Sequence, residues 1–437
     1  MSKNEQDKNG FITEHIKPKP LDKKDLFTRM GLAVLLGVLF GLVAALAYTA
    51  GVYHLENTYF QPKPEQVVIS NSESDVSQTD VESGEGVEIK IDQSELGKEA
   101  IVSDVTDTFP SDEESEKLEQ LYGGAYRMAQ SVARSLLPVS AISSDADWFT
   151  EEYESSKQGS GLVIADNRRE LLILIEKSII ENADEIRVTL PDDTRVKAVE
   201  KKYDPNIGFS IIGVELSDIK AETRKKIVPA TMGVSTGSRL TGKPVVAVGS
   251  PLGEFDSFSY GIITSSTRSI QMRDKSVHVL TTNIYGSKNG SGILVDLKGE
   301  TVGLITQDAS ESGAENLITA YGISDIKNSI ERMSNGQDRA YLGIYGVDVT
   351  PEVNESLSIP LGVYVTKVEV GSPAMDVGIQ TGDVITMVGT SEVESFTDYE
   401  NVMNKSQPGD DAVVTILRAS RGGYVEMTFD VKLATLK

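Results

Sequence analysis

The sequence contains no cysteine, and its histidines are limited to His15, His54 and His278. Without thiols there are no disulfides, zinc–thiolate centres or cysteine nucleophiles, and bridges say nothing about redox compartment. Any mechanism that needs an imidazole must take it from those three positions. Positive charge is also scarce: 42 Lys and Arg face 66 Asp and Glu, for a formal net charge of −24. Phosphate binding needs clustered Lys and Arg, so nucleic acid is not an expected partner. No metal or cofactor site is expected either.

Residues 1–29 are polar, with Lys17, Lys19, Lys23, Lys24 and Arg29 ahead of the first apolar run. Gly31 to Tyr53 then carries no charge and is long enough, as a helix, to cross roughly 30 Å of hydrocarbon. We assign 30–53 as a transmembrane helix rather than a cleaved signal, because both the run and its leader are long for a signal peptide. Positive residues before the span and acidic ones after it place the N-terminus in the cytoplasm and the rest outside a cell membrane. Residues 54–110, rich in Ser, Glu, Asp and Val, read as an acidic disordered linker that lacks the apolar surface to offset chain entropy. Ser111 and Glu114 form a capping-box pattern opening a helix to about Leu136.

From Val139 the pattern changes to short strands separated by Gly and Pro turns: Pro138–Ile142, Gly159–Ala165, Leu171–Ile175, Ile186–Leu190, Thr194–Ala198, Phe209–Val214, Pro244–Val248, Ser259–Ser265 and His278–Thr282. A barrel or sandwich is expected from such a series. The stretch Tyr285 to Leu304 then reads as a glycine-rich turn entering a strand, a turn at Leu297-Lys298-Gly299, and a second strand.

Several of these segments resemble, in order, the HtrA (DegP-like) serine protease family. GSGLVIADNRRELLILIEKSIIENADEIRVTLPDDTRVKA is similar to the family's G-S-G-V-I, I-L-T-N-x-H-V and A-[DE]-x-I-x-V-x-L-x-D-G segments. KKYDPNIGFSIIGVEL resembles D-P-x-T-D-[LI]-A-[LV]-[LI], and KPVVAVGSPLG resembles V-x-A-[IV]-G-[NS]-P-[LF]-G. SYGIITSSTRSI and TAYGISDIKNSIERM resemble the strand and the closing helix that follow. KNGSGILVD, Lys288 to Asp296, resembles the nucleophile loop G-N-S-G-G-P-L-[VI]-[ND]. The resemblance runs from about Ala129 to Lys437. It implies a mainly β fold: a two-barrel chymotrypsin-like domain over 111–336, then a PDZ domain over 338–437.

A serine protease needs a hydroxyl, an imidazole to take its proton, a carboxylate to orient the imidazole and N–H donors for the oxyanion. In the resemblance the His position falls on Ser178, the Asp position on Gly208 and the Ser position on Gly290, so all three groups are replaced. Lys288 stands where the loop's first Gly belongs. Ser291, one residue on, is a substitute hydroxyl, with His278, Lys288 or Lys177 as conceivable bases. His15 and His54 flank the apolar span on opposite sides. His278 lies on the second-barrel side of the cleft, whereas the imidazole should come from the first. A serine without a positioned base is a poor nucleophile.

In the last hundred residues, Tyr341, Leu342, Gly343 and Ile344 resemble the carboxylate-binding loop of HtrA PDZ domains, whose consecutive N–H groups form an anion nest. Gly362–Thr366 and Val368–Val370 read as strands, GSPAMDVGI and TGDVI match further family segments, and Thr397–Glu400 reads as a capping box. It opens a helix with Tyr399, Val402 and Met403 on its apolar side. PDZ domains add a peptide C-terminus as a strand between such a loop and helix; the alternative is a groove filled by the protein's own chain.

The expectation is therefore a membrane-anchored, extracytoplasmic HtrA-like pseudoprotease. It would bind peptide C-termini or unfolded exported proteins as adaptor, regulator or holder. The alternatives are an active endopeptidase with relocated groups, or a non-catalytic subunit assembling with an active relative. The resemblance also implies a homotrimer as an assembly state.

Overall fold

The computed structural model describes residues 65–69, 112–144, 154–236, 240–311 and 313–437. The expected tail at 1–29 and span at 30–53 lie outside these residues, as does most of the expected linker. No helix among the described residues is long and apolar enough to cross a membrane. One part of the expected linker is ordered against the folded body: Glu65–Ile69. Val67 is buried in the core. Its main chain is held at both ends by one side chain, with Val67 N donating to Asn335 Oδ1 and Asn335 Nδ2 donating to Val67 O, each at 2.9 Å. An amide that satisfies both groups of a residue substitutes locally for strand pairing, which composition does not signal.

The first barrel comprises β1 (Leu136–Ser144), β2 (Glu154–Asp166), β3 (Glu170–Glu176), β4 (Glu185–Thr189), β5 (Arg195–Asp204) and β6 (Phe209–Glu215), closed in the order β1-β2-β3-β6-β5-β4. Val139, Val163, Ile173, Ile175, Val188 and Ile212 fill it. The second comprises β7 (Pro244–Ser250), β8 (Ser257–Met272), β9 (Lys275–Tyr285), β10 (Ser291–Val295), β11 (Thr301–Ile305) and β12 (Leu317–Gly322), closed in the order β10-β11-β12-β9-β8-β7.

Between the barrels lies the largest apolar cluster. Leu172, Leu174, Phe209 and Ile211 of the first meet Val246, Val248, Ile293 and Leu304 of the second. Strand β3 therefore buries both faces, Ile173 and Ile175 inward and Leu172 and Leu174 toward the seam. A strand covered twice needs no polar alternation, which accounts for the run LLILI. Helix Ile323–Ser334 caps the seam with Ile326, Ile330 and Met333 at helical spacing.

The N-terminal helix covers Asp112–Ala133, shorter than expected because Leu136 already belongs to β1. Its end packs on the barrels through buried Ala129 and through Tyr126, whose ring lies 5.5 Å from that of Phe258. The β8–β9 hairpin is much longer than its apolar segments suggested. β8 has 16 residues and β9 has 11, joined at Arg273-Asp274.

The C-terminal domain is a sheet of β14 (Ile344–Val349), β15 (Gly362–Val368), β16 (Val384–Val388), β18 (Asp411–Ser420) and β19 (Gly423–Lys432), with β17 (Ser391–Glu392) paired to β16. Strands β13 (Ala340–Tyr341) and β20 (Ala434–Thr435) pair separately. Two expectations are corrected here. Val368–Val370 is not a strand of its own: β15 ends at Val368, and Val370 is 82% exposed in a turn. The helix Phe396–Lys405 starts ahead of the expected box, because Ser395 and Asp398 form the reciprocal pair while Phe396 is buried at the first helical position. Tyr399 and Met403 are fully buried beneath it, and Val402 is half-buried.

Candidate functional site

Two sites follow from these elements: the seam between the barrels and the groove of the C-terminal domain. At the seam, β3 leads into the short helix Lys177–Ile180, which carries Ser178 on the surface. The Ser178 hydroxyl donates to Glu176 Oε1 at 3.0 Å. Burial pushes the Glu176 carboxyl above its ordinary range; the Ser178 bond opposes this and nearby Asp308 adds to it. Gly208 is adjacent, since Lys177 N donates to Gly208 O at 2.8 Å. The fold thus brings Ser178 and Gly208 into one neighbourhood, and neither carries an ionisable side chain. The Lys177 ammonium is bound to both oxygens of Glu200, at 2.7 and 2.8 Å, and Ser210 donates to the same carboxylate. That pairing holds the Lys177 ammonium on Glu200 rather than on Ser291. Lys288 lies on the exposed rim of its loop.

The loop before β10 is tightly folded on itself. Ser287 N donates to Pro251 O at 2.9 Å, and Gly290 N donates to Ser287 O at 2.8 Å. Gln307 Nε2 donates to the same Ser287 carbonyl at 2.8 Å. A Cβ at residue 290 would lie 2.7 Å from Pro251 O and 2.9 Å from Ser287 O, both main-chain atoms. The N–H that would face an oxyanion is therefore engaged inside the loop, and there is no space for a serine side chain. Ser291 begins β10 and is 5% exposed. Its Oγ accepts from Ser160 N across the seam at 3.1 Å, and Ser160 Oγ lies 2.7 Å from Ser250 Oγ. The imidazole of His278 bonds instead to Asp325 Oδ2 at 2.9 Å. That bond raises the His278 pKa above its ordinary value, against partial burial. His278 lines the cleft toward the C-terminal domain, so the structure does not join His278 and Ser291.

At the second site Leu342, Gly343, Ile344 and Tyr399 converge on one carboxylate, while Tyr341 is half-buried beside them, Met403 is buried in the core of the domain and Val402 packs against that core. Gly343 has φ 94°, and a Cβ there would lie 2.2 Å from the Ser372 Cβ, so the turn that aligns the N–H groups requires glycine. These N–H groups hold a carboxylate from elsewhere in the chain. Leu342 N and Gly343 N each donate to Asp274 Oδ2 at 2.8 Å, and Ile344 N donates to Asp274 Oδ1 at 3.0 Å. Tyr399 Oη donates to Asp274 Oδ1 at 2.6 Å. Burial, and then the Asp274 charge, hold the Tyr399 hydroxyl protonated far above its usual range.

Asp274 is 1% exposed and sits at the tip of the β8–β9 hairpin with φ 53°. Its main chain is fixed as well, with Asp274 N donating to Ile344 O and Arg339 Nη2 donating to Asp274 O, each at 2.8 Å. Beside it Lys275 is fully buried, and burial with the Arg339 charge pulls its pKa down to about 8, against Glu400, Asp204 and Asp325. Sequence reasoning missed Asp274. The available signal was a short polar pair, Arg273-Asp274, between the apolar alternation of Ile270, Met272 and Val277.

Two closed barrels with a seam-facing loop, followed by a domain carrying a carboxylate cradle, define a trypsin-like peptidase fold with a PDZ module. Family profiles agree: residues 159–304 match the trypsin-like peptidase domain and residues 340–433 match the PDZ domain. The chain is similar to serine proteases of the HtrA/DegP type. It is 29% identical over 281 residues to the serine protease Do-like HtrB of Bacillus subtilis, covering 60% of this chain and 60% of that protein. It is 29% identical over 311 residues to the Do-like HtrA of Lactococcus lactis, covering 65% of this chain and 72% of that protein. The match therefore spans less than two thirds of the Bacillus relative. Among solved structures, the HtrA-type protease AlgW with a decapeptide superposes with a TM-score of 0.52 at 23% identity. That superposition covers 70% of this chain and 98% of AlgW, and supports the fold.

Proposed function

We propose that this chain is an HtrA-type pseudoprotease that works by binding polypeptide through its PDZ groove, as an adaptor, regulator or holder. The observation that carries this reading is the loop at Gly290. The nucleophile position has neither side chain nor room for one, and its N–H is bonded to Ser287 O. Ser178 and Gly208 supply no base and no orienting carboxylate. Proton transfer by a positioned group typically contributes a factor of about 10²–10⁴, and no group is positioned to supply it at Ser291. The named relatives are serine proteases, so the proposal is a loss of chemistry on a retained scaffold.

Peptide binding is supported by the three N–H donors and the Tyr399 hydroxyl, and by an HtrA-type protease having been solved with a decapeptide. The partners would be peptide C-termini or unfolded exported polypeptides. We further propose that residues 30–53 anchor the chain in the cell membrane with the folded domains outside, on the strength of that uncharged run and the Lys-rich leader.

The test is treatment of the purified protein with a fluorophosphonate probe and with unfolded casein. The expected result is neither labelling nor cleavage. Labelling abolished by Ser291→Ala would overturn the proposal in favour of a protease with relocated groups.

A further inference from the structure

The groups that hold Asp274 are those a peptide C-terminus would use. Its carboxylate takes the three N–H donors of Leu342, Gly343 and Ile344, and its own N–H pairs with the Ile344 carbonyl as the last residue of an added strand would. We propose that Asp274 is an internal competitor for the carboxylate cradle. The tip of the β8–β9 hairpin closes the PDZ groove, and a peptide C-terminus binds by displacing it and releasing the PDZ domain from the second barrel. This rests on the reading of the groove as a site for peptide C-termini, and adds what governs access to it.

Two further features favour a lock over incidental packing. The contact is built from both sides: Glu400 of the groove helix accepts from Ser276 N, and Arg339, 8% exposed, donates to the Asp274 carbonyl. Only one end of the groove is filled. Beyond the cradle a cleft of about 820 Å³ runs between the second barrel and the PDZ domain, lined by His278, Asp348, Thr397, Glu400 and Asn404. A peptide can therefore lie along the open part before its terminus exchanges with Asp274. Because one carboxylate excludes the other, the apparent dissociation constant for peptide is the intrinsic one divided by the open fraction. By reciprocity, peptide shifts the protein toward the released form by the same factor.

The test uses the full chain. It has no native cysteine, so cysteines placed at Lys298 and Asp376 carry spin labels for distance measurement by double electron–electron resonance. The probe is a pool of fluorescein-labelled decapeptides with apolar last residues, as free acids and as C-terminal amides, read by anisotropy. Asp274→Asn is the key variant, since asparagine tolerates the left-handed backbone at φ 53° while losing the charge. Asp256→Asn, at φ 63° in a turn that does not touch the PDZ domain, is its control.

The expected result is a narrow distance distribution for the wild type and the control, broadened by free acids but not by amides. Asp274→Asn should be broad without peptide and bind free acids at least tenfold more tightly, about 1.4 kcal/mol. An Asp274→Asn protein with a wild-type distance and wild-type affinity would overturn the lock and leave peptide binding standing. A broadened distance with no free-acid binding in any variant would support the lock and overturn the peptide reading instead.

Discussion

Placing a serine at residue 290 should damage the protein rather than repair it. The new Cβ would lie 2.7 Å from Pro251 O and 2.9 Å from Ser287 O, and both obstacles are main-chain atoms that cannot rotate away. Relief requires the loop to move, which also breaks the 2.8 Å bond from Gly290 N to Ser287 O. Overpacking of this kind costs about 1–3 kcal/mol. In a domain of this size each kcal/mol lowers Tm by about 2–4 °C. The other two positions differ. Ser178 is exposed, so Ser178→His should be neutral to within about 0.5 kcal/mol. Gly208 has open space around its Cβ position but φ 74°, so Gly208→Asp costs about 1 kcal/mol of left-handed strain. Differential scanning calorimetry of the three single variants and the triple variant, with casein cleavage beside it, checks this ordering. Gly290→Ser should be the most destabilised single variant, and the triple variant should not cleave. A Gly290→Ser protein as stable as the wild type, with a triple variant that digests casein, would show that the loop rearranges freely and that the geometric argument is wrong.

Ser291→Ala removes the acceptor of Ser160 N in a buried seam, and should lower stability by about 1–3 kcal/mol in urea unfolding. Lys275, pulled down to about 8 by burial, should give a distinctive pH profile. Between that value and the unfolded 10.5 the unfolded chain holds a proton that the folded chain has released, so stability rises with pH across this window, and Lys275→Met should abolish that part of the slope. His278 has the opposite sign. Its raised folded pKa gives a contribution fully present below the unfolded 6.5 and lost as pH rises through the folded value. Asp325→Asn should bring the His278 NMR titration down toward the ordinary value; an unchanged titration would remove Asp325 as the cause. Deletion of residues 1–53 should release the protein from membranes washed in alkaline carbonate.

The barrels were legible because burial leaves a periodic trace. Where strands bury both faces the trace becomes a run, as in LLILI, and where they bury one it alternates, as Val196 and Ala198 do on β5. Ser178, Gly208 and Gly290 were singled out only through the order of several weak segments, and the adjacency of the first two needed coordinates. The cradle was legible from Tyr341-Leu-Gly-Ile344, but its occupant was not. Asp274 bonds to main chain 68 to 70 positions later, and a contact at that separation leaves no local pattern. The hairpin arm that delivers Asp274 keeps its apolar alternation through Ile270, Met272, Val277 and Val279, so it reads as an ordinary strand pair, and nothing in it marks a contact with a later domain. The helix start at Ser395 was displaced because two capping patterns overlap, and only the burial of Phe396 decides between them.

The clasp between Asn335 and Val67 has a mechanical consequence. Asn335 ends the helix Ile323–Ser334, and the chain passes from there through Gly336 into the PDZ domain. Tension on the polypeptide ahead of Glu65 is therefore shared between the first barrel, through Glu65 N on Asn167 O and the Glu65–Arg168 ion pair, and two hydrogen bonds at the root of the PDZ connector, so a tug on the leader and a torque on the PDZ domain meet at Asn335.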